Sequence, residues 1–575
     1  MIKVHKKSIA ALLSLVLLLS LAGCTADGGT EPEAETLFKA GTYTAIGDGR
    51  NGSIVVQVDF SDDAIEDIRV VTHNETYSVG NVPLELYPEL IVKHQSLAVD
   101  IVSGATISSV AFLSAIRQCV QDAGGNPDEL RAEIPKDAEP ATDTEADIVV
   151  VGGGAAGMTA AVYAAEAGKK VILLEKLAFL GGTSAYSIEG IGASESLVHK
   201  GLGVAATSDD MYKNYVNSNP KGIPEAFDIL AHNNGKAVDW LRSIGAPLTV
   251  TGSAFSVTSP REAGKLGLVV TSALKNEVEK KGVDIRLNNR AVELLMEDGA
   301  VTGVKVEGPS GEYTIKAKAV ILTTGGFGAN NEMVAKYVPE LKGYNFSCSP
   351  GASGDGQLMA EAVGAQMADM DYIRVNYLYH TDGVKVYYMG SLANTGAIFV
   401  NNDGKRFINE QLSYNAGMDV VAQGGTGWMI FDQSMVDSIQ DIREYYNLGL
   451  FESAPTIEEL ADKIGVNKEN LVETVNRYVD FVKNGKDEDF GRPMLNLTFD
   501  EPPYYACKLT CHVQGTFGGI RTDTSGRVLN TENDVIPGLY AAGECASVGT
   551  YGANPMAVNI VFGRIAGESA AAYAQ

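Results

Sequence analysis

Cysteine is scarce, with six in 575 residues, at positions 24, 119, 348, 507, 511 and 545. So sparse a set is not the framework of a disulfide-stapled fold, and its spacing offers no metal-ligand cluster. Cys507, Cys511 and His512 come nearest as CxxxCH, one residue longer than the CxxCH of c-type haem attachment, and read as core cysteines beside a polar neighbour. Basic runs are missing beyond the first seven residues. With Lys+Arg 45 against Asp+Glu 72 the net charge is −27, and such a field repels a polyanion, which excludes nucleic acid as a partner. The apolar run over residues 9–21 is too short for a bilayer span and suits the h-region of a signal peptide. What is present is an ordinary globular composition, 45% hydrophobic and 20% charged, in a chain long enough for two or three domains.

Lys3, Lys6 and Lys7 precede that run, which closes on Leu21-Ala22-Gly23-Cys24. The ending resembles the lipobox of bacterial lipoproteins. The resemblance implies a signal peptide over 1–23, a diacylated Cys24, and a protein lipid-anchored on the extracytoplasmic face of the cell membrane. Residues 24–37 carry Asp27, Glu31, Glu33 and Glu35, a solvated acidic tether.

Residues 38–124 begin with period-two apolar segments broken by Gly and Asp, which predict short antiparallel strands. A helix is expected over 108–123, with Val110, Ala111, Ser114, Ala115 and Cys119 on one face. Ahead of it lies Asp100-Ile-Val-Ser103-Gly104-Ala105-Thr106, a glycine turn at a helix start. On physics alone this is a hydroxyl-rich capping loop whose amides would also favour a phosphate. The segment resembles the FMN-binding domain with a DxxSGAT motif, and Glu75-Thr76 upstream fits the same pattern. That resemblance implies FMN attached covalently, through its phosphate, to Thr106. Residues 125–145, with Pro127, Pro135, Pro140 and many acids, read as an extended linker with a reach of roughly 25 Å. The acids of tether and linker are expected to keep the flavin modules apart.

Asp147-Ile-Val-Val-Val151 is a continuous apolar strand, followed by Gly152-Gly153-Gly154-Ala155-Ala156-Gly157, a helical stretch, the strand Lys170-Val-Ile-Leu-Leu174, and Glu175. GxGxxG in this strand-turn-helix-strand setting predicts a dinucleotide site. Gly152 makes the turn, Gly154 admits the pyrophosphate, Gly157 lets helix meet sheet, and Glu175 accepts from the adenosine ribose. Further glycine turns at Gly181-Gly182-Thr183-Ser184, Thr324-Gly325-Gly326, Ser353-Gly354-Asp355-Gly356 and Gly543-Glu544 suit a long cofactor, FAD rather than NAD. Ala156, Gly182, Thr183, Gly326, Asp355 and Glu544 complete the candidate cofactor contacts. Together these turns resemble the flavoprotein subunits of the fumarate reductase and succinate dehydrogenase family, in the branch with flavocytochrome c fumarate reductase and urocanate reductase. The fold class implied is α/β. It comprises a Rossmann-like FAD-binding domain (146–370 and 515–575), an inserted α+β capping domain (371–514), and a small α+β FMN-binding domain ahead of both.

The resemblance also implies hydride transfer from flavin to an activated alkene and protonation by an arginine in GxRFxNExxxRD. Here that segment is Gly404-Lys-Arg406-Phe-Ile-Asn-Glu410-Gln-Leu-Ser-Tyr414-Asn415, which puts Tyr414 in the acid's place. The family's two substrate histidines meet Asn376-Tyr377-Leu378 and Gln514-Gly515, and residues 543–563 contain neither Arg nor Lys. A dicarboxylate needs fixed cations at both ends, so fumarate itself is not expected. Tyr414, Arg374 and Tyr551 are the candidate catalytic residues, with Arg374 available for one carboxylate. Tyr372, Tyr377, Tyr379, Tyr414, Tyr551 and Asn376 suggest a larger or less charged enone, enoate or aromatic acrylate. Tyr372, Tyr377, Tyr379 and Tyr551 also read as packing residues with wet tips, and His380 and His512 as surface or core histidines. The expected activity is an extracytoplasmic ene-reductase of anaerobic respiration. Electrons come from a membrane donor, quinone-linked or a dehydrogenase, through FMN and FAD, since cytosolic NADH cannot reach the site. A ketosteroid-type enone reductase or dehydrogenase and a non-catalytic electron-shuttling flavolipoprotein are the alternatives.

Overall fold

The computed structural model describes residues 36–75, 79–102, 104–134, 142–188, 190–219, 221–250, 253–382, 385–411 and 413–575, without the side chains of 413–415. Cys24, the signal segment, Thr76 and Ser103 lie outside the described residues.

The N-terminal module is a three-stranded antiparallel sheet, Gly41–Gly49, Gly52–Phe60 and Ile65–Thr72, in sequence order. Ile54, Val56, Val58 and Phe60 alternate inward, as a strand with one buried face requires. They meet Tyr87 of the helix Val82–His94 and Phe112, Ile116 and Cys119 of the helix Thr106–Asp122. The second helix starts two residues before its expected position, at the candidate flavin attachment residue itself. The first was not foreseen: Pro88 inside it is a breaker signal, although Pro83 in its first turn is compatible with a helix start.

Two expectations need correction. The start of the 125–145 stretch is not free in solvent, because Leu97 N–H donates to the Leu130 carbonyl at 2.7 Å and Ser96 Oγ to that of Ala132 at 2.5 Å. Nor are the modules held apart. Leu177, Phe179 and Ala185 of the following domain complete the N-terminal module's apolar core, and burying those side chains outweighs the repulsion of solvated acids.

The dinucleotide domain has the parallel order Asp284–Arg286, Val171–Leu174, Thr144–Val151, Gly311–Leu322, Val535–Ala541 at its centre. Ala300–Gly308 and Arg290–Glu297 extend it as an antiparallel meander. The strand Thr144–Val151 is buried over its last four residues, as a central parallel strand must be. Its neighbour helices Ala155–Glu166 and Pro555–Tyr573 are rich in alanine and glycine and pack closely on one another.

The cap is built on a seven-stranded sheet. Val386–Tyr388, Ile373–Thr381, Tyr504–Thr516, Thr426–Asp432 and Ile398–Val400 form its main path, and Asn345–Phe346 and Glu452–Ala454 also pair with Tyr504–Thr516. Cys507, Cys511 and His512 are buried on that long strand, as core residues.

Candidate active site

The turn after the strand Thr144–Val151 has the geometry its glycines predict. Gly152 sits at φ +106°, and a Cβ on Gly157 would run into the Gly152 carbonyl oxygen. Gly154 faces open space, its hypothetical Cβ meeting only the Gly181 oxygen at 4.0 Å. That gap, bordered by Ala156 and the Gly182 turn, is a cradle fitted to a pyrophosphate, next to the start of the helix Ala155–Glu166. Glu175 ends the second strand buried, its carboxylate accepting from Gly153 N–H and Leu177 N–H at 2.8 Å each. Burial raises its pKa, and those two amides oppose the rise. Lone pairs remain for ribose hydroxyls.

A single cavity of about 2170 Å³ runs from this cradle in both directions. At one end it reaches Thr106, exposed at the start of a 17-residue helix whose N-cap, Ala105, supplies no side-chain hydrogen bond. Free amides and a hydroxyl at a helix N-terminus fit a phosphate-linked FMN. Beside them Glu75 is buried, accepting from Asn51 N–H at 3.0 Å and from the Ser108 hydroxyl.

Asp355 also lines the cavity, but its carboxylate is already engaged by Lys176 at 2.8 Å and Arg290 at 3.1 Å. Burial works against its ionisation and the two cations more than offset that, so its pKa is lowered. Thr183 accepts from Ser349 N–H at 3.2 Å. Gly326 lies behind the cavity wall, where a side chain would collide with Thr516 and Glu544. Glu544 is half-buried and accepts from Thr516 N–H at 2.9 Å. Burial raises its pKa to about 7, against the pull of that amide and of the nearby Arg374 charge.

The cap closes the other end. Arg374 and Tyr379, five residues apart on the irregular strand Ile373–Thr381, both line the cavity. Gln514 donates to Tyr379 Oη at 3.4 Å and accepts from Asn376 at 3.2 Å. Tyr387, Tyr388 and Tyr445, which sequence reasoning missed, extend this aromatic wall toward Thr106. For Tyr387 and Tyr388 the signal was the density of tyrosine around 372–388; Tyr445 had none. Tyr377 is a packing residue, fully buried against Phe399 with its hydroxyl on the Glu410 carbonyl at 3.2 Å. Tyr372 is 40% exposed and packs edge-on to Tyr551. Tyr551 lines the cavity and is bonded to Ser547 and Asp369. Tyr414 is the second residue of the helix Ser413–Ala422, which lies on the strand Ile373–Thr381; its side chain is outside the described residues. A buried charge network fixes the approach to that helix: Glu410 takes two 2.9 Å bonds from Arg406 and one of 3.2 Å from Arg492.

The chain matches the FAD binding domain family over residues 147–561 and the FMN-binding domain family over residues 49–121. It is 38% identical over 444 residues to a fumarate reductase (cytochrome) of Shewanella frigidimarina, covering 75% of this chain and 77% of that one. The chain belongs to the fumarate reductase flavoprotein family. A urocanate reductase of Eggerthella lenta is 33% identical over 587 residues, 97% of this chain and 96% of its own. The open conformation of a flavocytochrome c3 fumarate reductase superposes with TM-score 0.66 at 31% identity, over 78% of this chain and 83% of that one. As a member of the fumarate reductase flavoprotein family the chain is an FAD-dependent oxidoreductase acting on CH–CH bonds, with FAD and FMN as cofactors.

Proposed function

We propose that this protein reduces the C=C bond of an aryl acrylate, one carboxylate conjugated to an aromatic ring, on the extracytoplasmic face of the membrane, with electrons entering from a membrane donor. The observation that carries this reading is the continuity of the cavity from Thr106, past the glycine cradle, to Arg374 and the tyrosines of the cap. Bound flavin supplies the hydride. Arg374 binds the carboxylate as a charge-assisted donor, and Tyr379 and Tyr388 offer ring faces to the aryl group. Tyr414, where the family carries its proton-donating arginine, gives the proton as a neutral phenol. A dicarboxylate finds no second cation over residues 543–563, which argues against fumarate. Cys24 anchors the chain, and Thr106 would hold FMN, which would supply redox chemistry between the membrane donor and the FAD site.

The test is an anaerobic acceptor screen on protein carrying both flavins, with reduced methyl viologen as donor and product identification. The panel holds (E)-cinnamate, 4-coumarate, urocanate, fumarate and steroid enones. Saturated aryl propionates are the expected products, with fumarate slow. Fastest turnover of a steroid enone or of fumarate rejects the substrate class, and no reoxidation by any alkene rejects the enzyme in favour of an electron shuttle.

A further inference from the structure

Reducing a C=C bond, or a flavin, consumes protons that must cross into a site whose cavity the cofactors and acceptor fill. A chain of side chains joins that cavity to solvent. Ser547 and Tyr551 line the cavity and are 1% and 5% exposed, with their hydroxyls 2.7 Å apart. The Tyr551 hydroxyl donates onward to the carboxylate of Asp369, which is solvent-exposed and does not line the cavity. Asp369 is held there in left-handed backbone at φ +52°, its carbonyl accepting from Tyr372 N–H at 2.9 Å. The Tyr372 ring lies edge-on to Tyr551 with centroids 5.6 Å apart and is tilted against Phe517 at 5.1 Å. A non-glycine residue in that conformation is sparsely populated, so the surroundings must fix it.

We propose that Asp369, Tyr551 and Ser547 form a proton-entry path from solvent to the cavity. In one passage the Asp369 carboxyl gives its proton to Tyr551 Oη, the original Tyr551 proton moves to Ser547 Oγ, and the original Ser547 proton passes to an acceptor in the cavity. Asp369 regains a proton from bulk water. Each hydroxyl ends with one proton, and nothing is oxidised or reduced. Tyr551 then serves the reaction as a relay rather than as a group acting on the acceptor.

The path rests on the reductase reading only for its use, and its test needs no acceptor. Methyl viologen reduced electrochemically brings electrons without protons. Holoenzyme in weak buffer with a pH indicator is mixed with it anaerobically, and flavin bleaching and proton uptake are followed together. In the native protein uptake keeps pace with bleaching. In Tyr551→Phe and Ser547→Ala, each of which removes one hydroxyl, uptake is expected to lag bleaching at least tenfold. In Asp369→Asn the lag is expected to disappear on adding formate, a small diffusible acid. Flavin content and melting temperature are measured alongside, and Ser547→Ala decides alone if Tyr551→Phe does not fold. Uptake in step with bleaching in variants that retain their flavins overturns the path. So does a lag in Asp369→Asn that formate leaves unchanged, which is the mark of a purely structural contact.

Discussion

Glu410→Gln is the substitution whose cost the structure states most directly. Glu410 and Asp487 face Arg406 and Arg492 in a cluster whose side chains are at most 5% exposed. Two carboxylates balance two guanidinium groups. Glutamine keeps an acceptor for the Phe399 N–H, which lies 3.0 Å from Glu410 Oε1, but removes one negative charge and leaves a buried surplus of positive charge. Arg406 retains Asp487 at 3.0 Å, and Arg492 retains the Ala397 carbonyl at 2.7 Å, so the loss is partial. Removing one partner of a buried pair costs about 3–5 kcal/mol, and the retained bonds put this case near 3. For a unit of this size that is a fall of roughly 6–12 °C in melting temperature, read by calorimetry on holoenzyme at fixed scan rate. A second substitution, Arg492→Met, removes the surplus charge and is expected to recover part of the loss. A fall under about 1 °C for Glu410→Gln, or a double variant whose losses simply add, refutes the charge-balance argument.

Tyr414→Phe is expected to bind both flavins and lose most turnover of (E)-cinnamate, measured by product formation; a native rate removes Tyr414 as proton donor. Thr106→Ala is expected to retain acid-extractable FAD and to lose the flavin fluorescence that a covalent FMN leaves on a denaturing gel. Burial raises the Glu544 pKa from 4.5 to about 7, so the unfolded chain ionises this group before the folded one. Stability is therefore lost as pH rises from 4.5 to 7, by about 3 kcal/mol from this group, and is level above. Glu544→Gln is expected to flatten that slope in denaturant titrations at pH 5 and pH 8, and an unchanged slope assigns it elsewhere.

The dinucleotide unit was legible because its signals are local: strand, glycine turn, small-residue helix and acid follow one another within about 30 residues. The same holds for the alternating strands of the first module. The helix Val82–His94 was not, since its second proline reads as a breaker unless the packing of Tyr87 and Ile91 is known. Contacts between modules left no local trace either. Phe179 precedes the glycine turn at Gly181-Gly182 in sequence and fills the core of a different domain in space. Tyr377 and Tyr379, two residues apart, were indistinguishable by spacing; a register shift between Asn376 and Tyr379 breaks the alternation of the strand, and one packs on Phe399 while the other reaches the cavity. Asp355 lines the cavity beside its glycine turn, but that its carboxylate pairs with Lys176 and Arg290, distant in sequence, had no local signal. The Asp369–Tyr551 pair, 182 residues apart, had no sequence signal at all.

The central claim is that one cavity carries electrons from Thr106 to the C=C bond. It is tested most directly by a single-turnover experiment: fully reduced holoenzyme, freed of donor, is mixed with (E)-cinnamate while both flavins and the product are followed. The account predicts oxidation of both flavins, with twice as much 3-phenylpropionate per protein as from Thr106→Ala, because FMN contributes its own electron pair. Equal yields from the two proteins, or flavins that stay reduced while fumarate oxidises them, would contradict it.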